Sequence, residues 1–201
     1  GAGRRHGQRG RARALEIGNR SVASAIGKHA VADSVVVHPL GLQGDEQADL
    51  SVHGGLAKAV YAYPAEHFAF WRTVRAQARA SAWEEPIAPG SMGENLTLEG
   101  LLEHEAWIGD VLRFPGCALA VSAPRLPCFK FNAAMAFAQA GALMGQSGWC
   151  GFYLAVRVPG SLRAHRQVQP QLAIASGECR PHGYSFHPED TSDKPDLALL
   201  K

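Results

Sequence analysis

The chain is short of cysteine, of charge imbalance and of long apolar runs, and each shortage excludes something. Among 201 residues there are four cysteines, Cys117, Cys128, Cys150 and Cys179, with no CxxC pair and no dense framework. That excludes a disulfide-stapled scaffold and points to free thiols in a reducing compartment. The formal net charge is only +2, which argues against a nucleic-acid partner, since such proteins carry a strong basic surplus on one face. No stretch approaches the ~18 apolar residues needed to cross a bilayer, and no charged-then-apolar signal opens the sequence. The expectation is a cytoplasmic protein with no membrane partner. Several catalytic signatures are missing as well. No GxGxxG opens a helix after a strand, and there is no P-loop and no GxSxG, so nicotinamide, nucleotide-hydrolase and serine-hydrolase readings have no support. "HEAWIGD" breaks the HExxH pattern at Ile108. Cys179, His182 and His187 lack a fourth zinc ligand at sensible spacing.

What is present suits a globular β domain. The hydrophobic fraction is 46%, enough for a substantial core. Short β-type runs dominate: "DSVVVH" (33–38), "EAWIGDVLRF" (105–114) with a Gly109-Asp110 turn, "CALAVS" (117–122), "GFYLAVRV" (151–158) and "VQPQLAI" (168–174). Glycine and proline punctuate them at short intervals, as in a barrel or sandwich rather than in alternating βα units. Two helices are expected. One opens near Pro64, with Phe68, Trp71, Val74 and Ala78 at helical spacing. The other is alanine-rich and runs from Asn132 as N-cap to Gly145 as terminator. "RRHGQRGRAR" (4–13) reads as a flexible arm or as an arm that touches phosphate or an acidic partner. The division expected is an arm over 1–13, a barrel over 14–176 and an irregular tail over 177–201.

Three stretches concentrate glycine and polar residues. In "GLQGDEQADLSVHGGLAKAVYAY" (41–63), Gly54 and Gly55 follow His53 and let backbone N–H groups approach a ligand, or simply build a long turn. In "PGSMGENLTLEGL" (89–101), Glu94 and Asn95 either meet the amide edge of a heterocycle or cap a loop entering a strand, with Thr97 and Glu99 on the surface. In "APRLPCFK" (123–130), Pro124 and Pro127 stiffen the chain around Cys128, with Arg125 and Lys130 on either side. Such cations favour the thiolate, which is both nucleophile and soft-metal ligand. They could equally hold a phosphate, and a structural free cysteine stays open. Cys117, Cys150 and Cys179 lack such flanks and read as packing residues.

The order and spacing of these stretches, with "IGDVL" and "SAIGK" (24–28), strongly resembles the MOSC family, the molybdenum-cofactor-binding domains related to the C-terminal part of molybdenum cofactor sulfurase. The nearest branch is the bacterial stand-alone proteins that confer resistance to hydroxylaminopurine. The resemblance covers about residues 14–160. It implies a mainly β, barrel-like MOSC fold with a few peripheral helices. It implies molybdenum cofactor (molybdopterin) bound with Cys128 as the metal ligand and catalytic residue. Lys28, Arg125 and Lys130 are then the cationic candidates for the phosphate. His53, Gly54 and Gly55 line the site from one side, and Glu94 and Asn95 from another. Asp45, Asp49 and His53 are candidates for proton handling. The activity implied is reduction of N-hydroxylated bases or amines, independent of pyridoxal phosphate, with electrons from a separate reductase, by a monomer or homodimer. The alternative is a carrier of the cofactor, or of sulfane sulfur on Cys128. Three departures stand out. The tail after Gly177 lacks the branch's helical segment. Trp149-Cys150 replaces a small or basic residue. Ala164-His165 stands where a Gly-Asp turn is usual.

Overall fold

The computed structural model describes residues 13–19, 29–30, 34–43, 55–127, 129–163, 166–167 and 169–171; within these, 13–19, 29–30, 129, 166–167 and 169–171 are described by backbone alone. Among the described residues there are twelve strands: β1 Arg13–Asn19, β2 His29–Ala30, β3 Val35–His38, β4 Gly41–Leu42, β5 Val60–Pro64, β6 Leu96–Glu99, β7 Val111–Phe114, β8 Cys117–Pro124, β9 Phe152–Val158, β10 Gly160–Leu162, β11 Arg166–Gln167 and β12 Gln169–Gln171. Nine belong to one sheet in the order β11-β1-β6-β5-β9-β8-β7-β12, with β2 on β1. Its strands pair antiparallel, except that β5 and β6 run parallel. The two ends of this path, β11 and β12, are consecutive strands with residue 168 alone between them. Two Cα–Cα steps span at most about 7.6 Å, so the sheet curls until its edges meet, which makes it barrel-like. This agrees with the mainly β, barrel-like expectation.

The second sheet, β10-β3-β4, is small. Val35 and Val37 of β3 face the core while Val36 and His38 face outward, the period-2 pattern of a half-buried strand. It joins the barrel where Ser161 N donates to Gly116 O at 3.1 Å. A Cβ on either Gly116 or Gly160 would run into the backbone across this contact, so both positions need glycine.

β5 is buried on both faces. Val60 and Ala62 belong to the barrel core with Leu96, Leu119, Phe152 and Leu154. Tyr61 and Tyr63 point the other way, into a second cluster with Trp71, Phe131, Met135 and Met144. Each such large side chain contributes about 1.5–3 kcal/mol on burial. The second cluster is the floor on which the helices lie. α1 (Phe68–Gln77) buries Trp71 completely and follows a short 3-10 turn, Ala65–His67. Pro64 ends β5 instead of opening the helix.

The expected helix over 132–145 is two helices, α2 (Phe129–Met135) and α3 (Ala140–Ser147). Ala136 breaks them apart at φ 60°. Asn132 lies inside α2 and caps its successor, its Oδ1 accepting from Gly141 N at 2.7 Å. The residue keeps its capping chemistry but serves the next helix. Gly145 lies inside α3, and Gly148, at φ 70°, supplies the left-handed cap. The expected Gly109-Asp110 turn shifts by one residue to Ile108-Gly109, and Asp110 Oδ2 accepts from Trp107 N at 3.0 Å. Among the described residues no helix is long and apolar enough to cross a membrane.

Candidate functional site

The site grows from the C-terminal end of β8. Ala123 and Pro124 there pair with Tyr153 and Phe152 of β9. The chain then leaves the sheet as Arg125-Leu126-Pro127 and enters α2. Arg125 N donates to Gly151 O at 3.3 Å. Its guanidinium carbon lies 4.5 Å from the Tyr61 ring centroid and 6.0 Å from that of Phe131. Nη1 approaches Met144 Sδ at 3.6 Å. Arg125 thus occupies the seam between the outer face of the sheet and helices α2 and α3, half-buried. A guanidinium over an aromatic face is held there by the ring quadrupole.

The end of the first glycine-rich stretch reaches the same seam. Gly55 (φ 99°) leads into a 3-10 turn, Leu56–Lys58. Ser122 Oγ of β8 donates to Ala57 O in a short hydrogen bond, which ties that turn to the strand carrying Arg125. Lys58 Nζ lies 5.6 Å from the Tyr153 ring centroid. Tyr153 and Tyr61 are direct cross-strand partners with rings 5.6 Å apart. Two cations therefore bracket a tyrosine pair, in the order Lys58, Tyr153, Tyr61, Arg125. Among the described residues no atom lies within 4 Å of where a Cβ on Gly55 would stand. Lys130 is exposed on α2.

Glu94 and Asn95 approach from the other side of Tyr61, and both are buried. The Glu94 carboxylate accepts from Gly90 N at 2.7 Å, Met92 N at 3.0 Å and Thr97 Oγ1 at 3.1 Å. It folds the 90–93 loop around itself. Burial raises its pKa above the usual carboxylate value, opposed by those donors. Asn95 Oδ1 accepts from Tyr61 N at 2.9 Å, and Asn95 N donates to Tyr61 O at 2.8 Å. So both residues hold the loop against the strand that carries the Arg125 stacking partner. Thr97, expected at the surface under the loop-cap reading, is buried with them because its hydroxyl serves Glu94.

Beneath Arg125 the three-residue turn 149–151 is pinned by side chains. Tyr63 OH donates to Trp149 O at 3.1 Å, and Tyr61 OH to Cys150 O at 2.7 Å. Glu103 Oε1 accepts from Gly151 N at 2.8 Å, while Oε2 lies 2.8 Å from His67 Nε2. The His67 ring stacks on Trp149 at 4.7 Å. The aromatic Trp149 that departs from the resembled pattern thus covers a buried histidine.

The structure places Arg125 on Tyr61, with Glu94 and Asn95 bonded behind that ring and Lys130 on the adjoining helix, while Gly55 leads into the turn tied to β8. Lys28, Asp45, Asp49, His53, Gly54, Cys128 and Cys179 lie outside the described residues, as do Ala164-His165, the arm over 1–12 and the tail over 172–201. Among the described residues no three His, Cys, Asp or Glu side chains gather as a metal site. Lys58, Tyr61, Tyr153 and the His67–Glu103 pair escape the sequence reading. The alternation in "VYAYP" marks a strand but not that both faces are covered, and the histidine and glutamate are 36 residues apart.

Cys117 and Cys150 behave as packing residues. Burial pushes the Cys117 thiol up to about 11. Burial first, then the nearby Glu103 charge, pushes Cys150 to about 12, with Arg125 opposing. Each raised unit removes about tenfold of the thiolate at neutral pH. Iodoacetamide at pH 7.5 is therefore expected to spare both while Cys128 reacts. Equal labelling of all three would contradict this assignment.

Comparison with known proteins places the fold in a family. The profile of the MOSC domain matches residues 49–169. The chain belongs to the MOSC domain family. This MOSC domain is 39% identical over 147 residues to the protein YiiM of Escherichia coli, a match covering 73% of the chain and 63% of YiiM. The chain thus spans less than two thirds of that relative. A protein named "Reductase" from Gibberella moniliformis is 33% identical over 137 residues, 64% of this chain and 22% of that one. Among solved structures, that of a hypothetical protein superposes with TM-score 0.68 at 30% identity, covering 84% of this chain and 72% of the other. The crystal structure of YiiM from Escherichia coli gives TM-score 0.61 at 29% identity, over 79% and 69%.

Proposed function

We propose that this MOSC domain binds molybdenum cofactor and reduces N-hydroxylated bases or amines to the amines, with electrons from a separate reductase. The observation that carries the reading is Arg125. Its guanidinium is stacked on Tyr61 at the start of the segment that leads to Cys128. The residues present fit such a group. Molybdopterin carries a phosphate, and Arg125, Lys58 and Lys130 gather positive charge around the seam. The neighbouring carboxylates, Glu94 and Glu103, are buried and bonded to protein donors.

Arg125 would hold the phosphate by N–H bonds, assisted by Lys130 and Lys28. Backbone N–H groups of Gly54 and Gly55, with His53, would line one flank. Asn95 and Glu94 keep the opposite loop rigid. Cys128 would be the metal ligand, as a soft thiolate favoured by Arg125 and Lys130 of its own segment. When bound, the cofactor supplies the two-electron removal of oxygen from the N–O bond. The balance is R–NHOH plus two electrons and two protons, giving R–NH2 and water. Asp45 and His53 are the chain's groups for delivering those protons. The likeness to YiiM and to a protein named "Reductase" supports the reaction class.

The test is turnover. Protein made in a molybdenum-competent host is expected to reduce an N-hydroxylated purine with reduced methyl viologen, at a rate proportional to its metal content. Full metal content without turnover on any N-hydroxylated compound would replace this reading with the carrier.

A further inference from the structure

We infer that the buried His67–Glu103 pair is the positioning element of Arg125. The inference rests on the reading of Arg125 as an anion-holding group. His67 is 6% exposed and Glu103 3%. Burying two such polar groups is unfavourable unless each is bonded. The apolar cluster around them gives no packing reason for a carboxylate. What the carboxylate provides is two acceptor oxygens in one rigid plane. Oε2 meets His67 Nε2 and Oε1 meets Gly151 N, both at 2.8 Å. His67, clamped between Trp149 (4.7 Å, interplanar 10°) and the edge of Tyr63 (5.8 Å), keeps that plane from turning.

Gly151 lies in a turn outside any helix or strand. The turn reaches Arg125 twice. Gly151 O accepts from Arg125 N at 3.3 Å, which sets the main chain where it leaves β8. Cys150 O accepts from Tyr61 OH at 2.7 Å, which sets the ring on which the guanidinium lies. Freeing Gly151 N–H loosens both supports without removing any atom of the seam. Glu103 and His67 touch Arg125 through no bond described, so their effect passes through the turn.

Labelling of Arg125 by phenylglyoxal, followed by peptide mass spectrometry, tests this on the full chain made in a host without the cofactor. In Glu103→Gln the side-chain carbonyl still accepts from Gly151 N, and the labelling rate is expected within about twofold of the parent. The double variant Glu103→Leu with His67→Phe replaces the pair by apolar groups and keeps the stack on Trp149. The exchange leaves Gly151 N–H without its acceptor, so melting is expected below the parent, and Arg125, read below that melting temperature, labels about tenfold faster. Should the double variant fail to fold, Glu103→Ala, read below its own melting temperature, gives the same comparison. Leu112→Ala, which opens a cavity in the barrel core away from the turn, is the control and is expected to leave Arg125 labelling unchanged. Parental labelling in the double variant, or equal acceleration in Leu112→Ala, overturns the inference. Failure of turnover in the metal-loaded protein would sink the proposed function and leave this result standing. Unchanged labelling in an active enzyme would do the reverse.

Discussion

Gly151→Ala is expected to destabilise the fold by about 2–5 kcal/mol, the sum of a left-handed backbone penalty and overpacking. Gly151 has φ +69°, where L residues are strained. A Cβ there would also meet Ala62 O, Tyr61 Cε2 at 2.9 Å and Tyr63 Cδ2 at 3.0 Å. None of these can retreat cheaply. Ala62 is backbone of a central strand, and both tyrosine hydroxyls are tied to the same turn. Trp71 Nε1 also donates to Tyr63 OH at 2.6 Å, which fixes that ring from the helix side. Urea denaturation gives the difference directly from the shift in midpoint at constant slope. A loss under about 1 kcal/mol would mean that the turn relaxes freely and is not the rigid support described.

Cys128→Ser is expected to lower reduction of N-hydroxylated substrate by about a hundredfold or more, since outer-shell changes alone reach 10–100-fold at metal sites. A serine hydroxyl is a harder ligand than a thiolate and stays protonated at neutral pH, so it replaces neither the softness nor the charge. The other described thiols offer no substitute. Cys117 is part of the barrel core, and Cys150 gives its Sγ–H to Met144 O at 3.3 Å. Burial holds both thiols protonated, at about 11 and about 12. Rate per chain and metal per chain, measured together on the variant, read the effect. A variant that keeps parental metal and rate would remove Cys128 from the chemistry.

Much of the barrel is legible in the sequence because its signals are local. "DSVVVH" is β-branched and compact, and "CALAVS" and "GFYLAVRV" are short runs punctuated by glycine and proline, so β3, β8 and β9 fall where composition and punctuation put them. The helical layer is less legible. Alanine-rich sequence favours helix throughout 132–145, so propensity gives no warning of the break at Ala136. That break depends on Asn132 reaching forward to Gly141 and on Phe131 and Met144 sharing one apolar floor.

The site divides in the same way. "PRLPC" and "HGG" advertise themselves through proline, glycine and charge. The burial of Glu94 does not, because a carboxylate that folds a loop and one that meets a ligand share the same local sequence. The Arg125 platform could not be read at all, since Tyr61, Arg125, Met144 and Gly151 meet only after the sheet curls and the helices cover it. Long-range pairing of this kind leaves no period to find.

The most direct test of the central claim is elemental and pterin analysis of the full chain freshly purified from a molybdenum-competent host, beside Cys128→Ser. The account predicts molybdenum and pterin in equal amounts, near one per chain, with the metal lost from the variant. Neither metal nor pterin in the parent protein would contradict it.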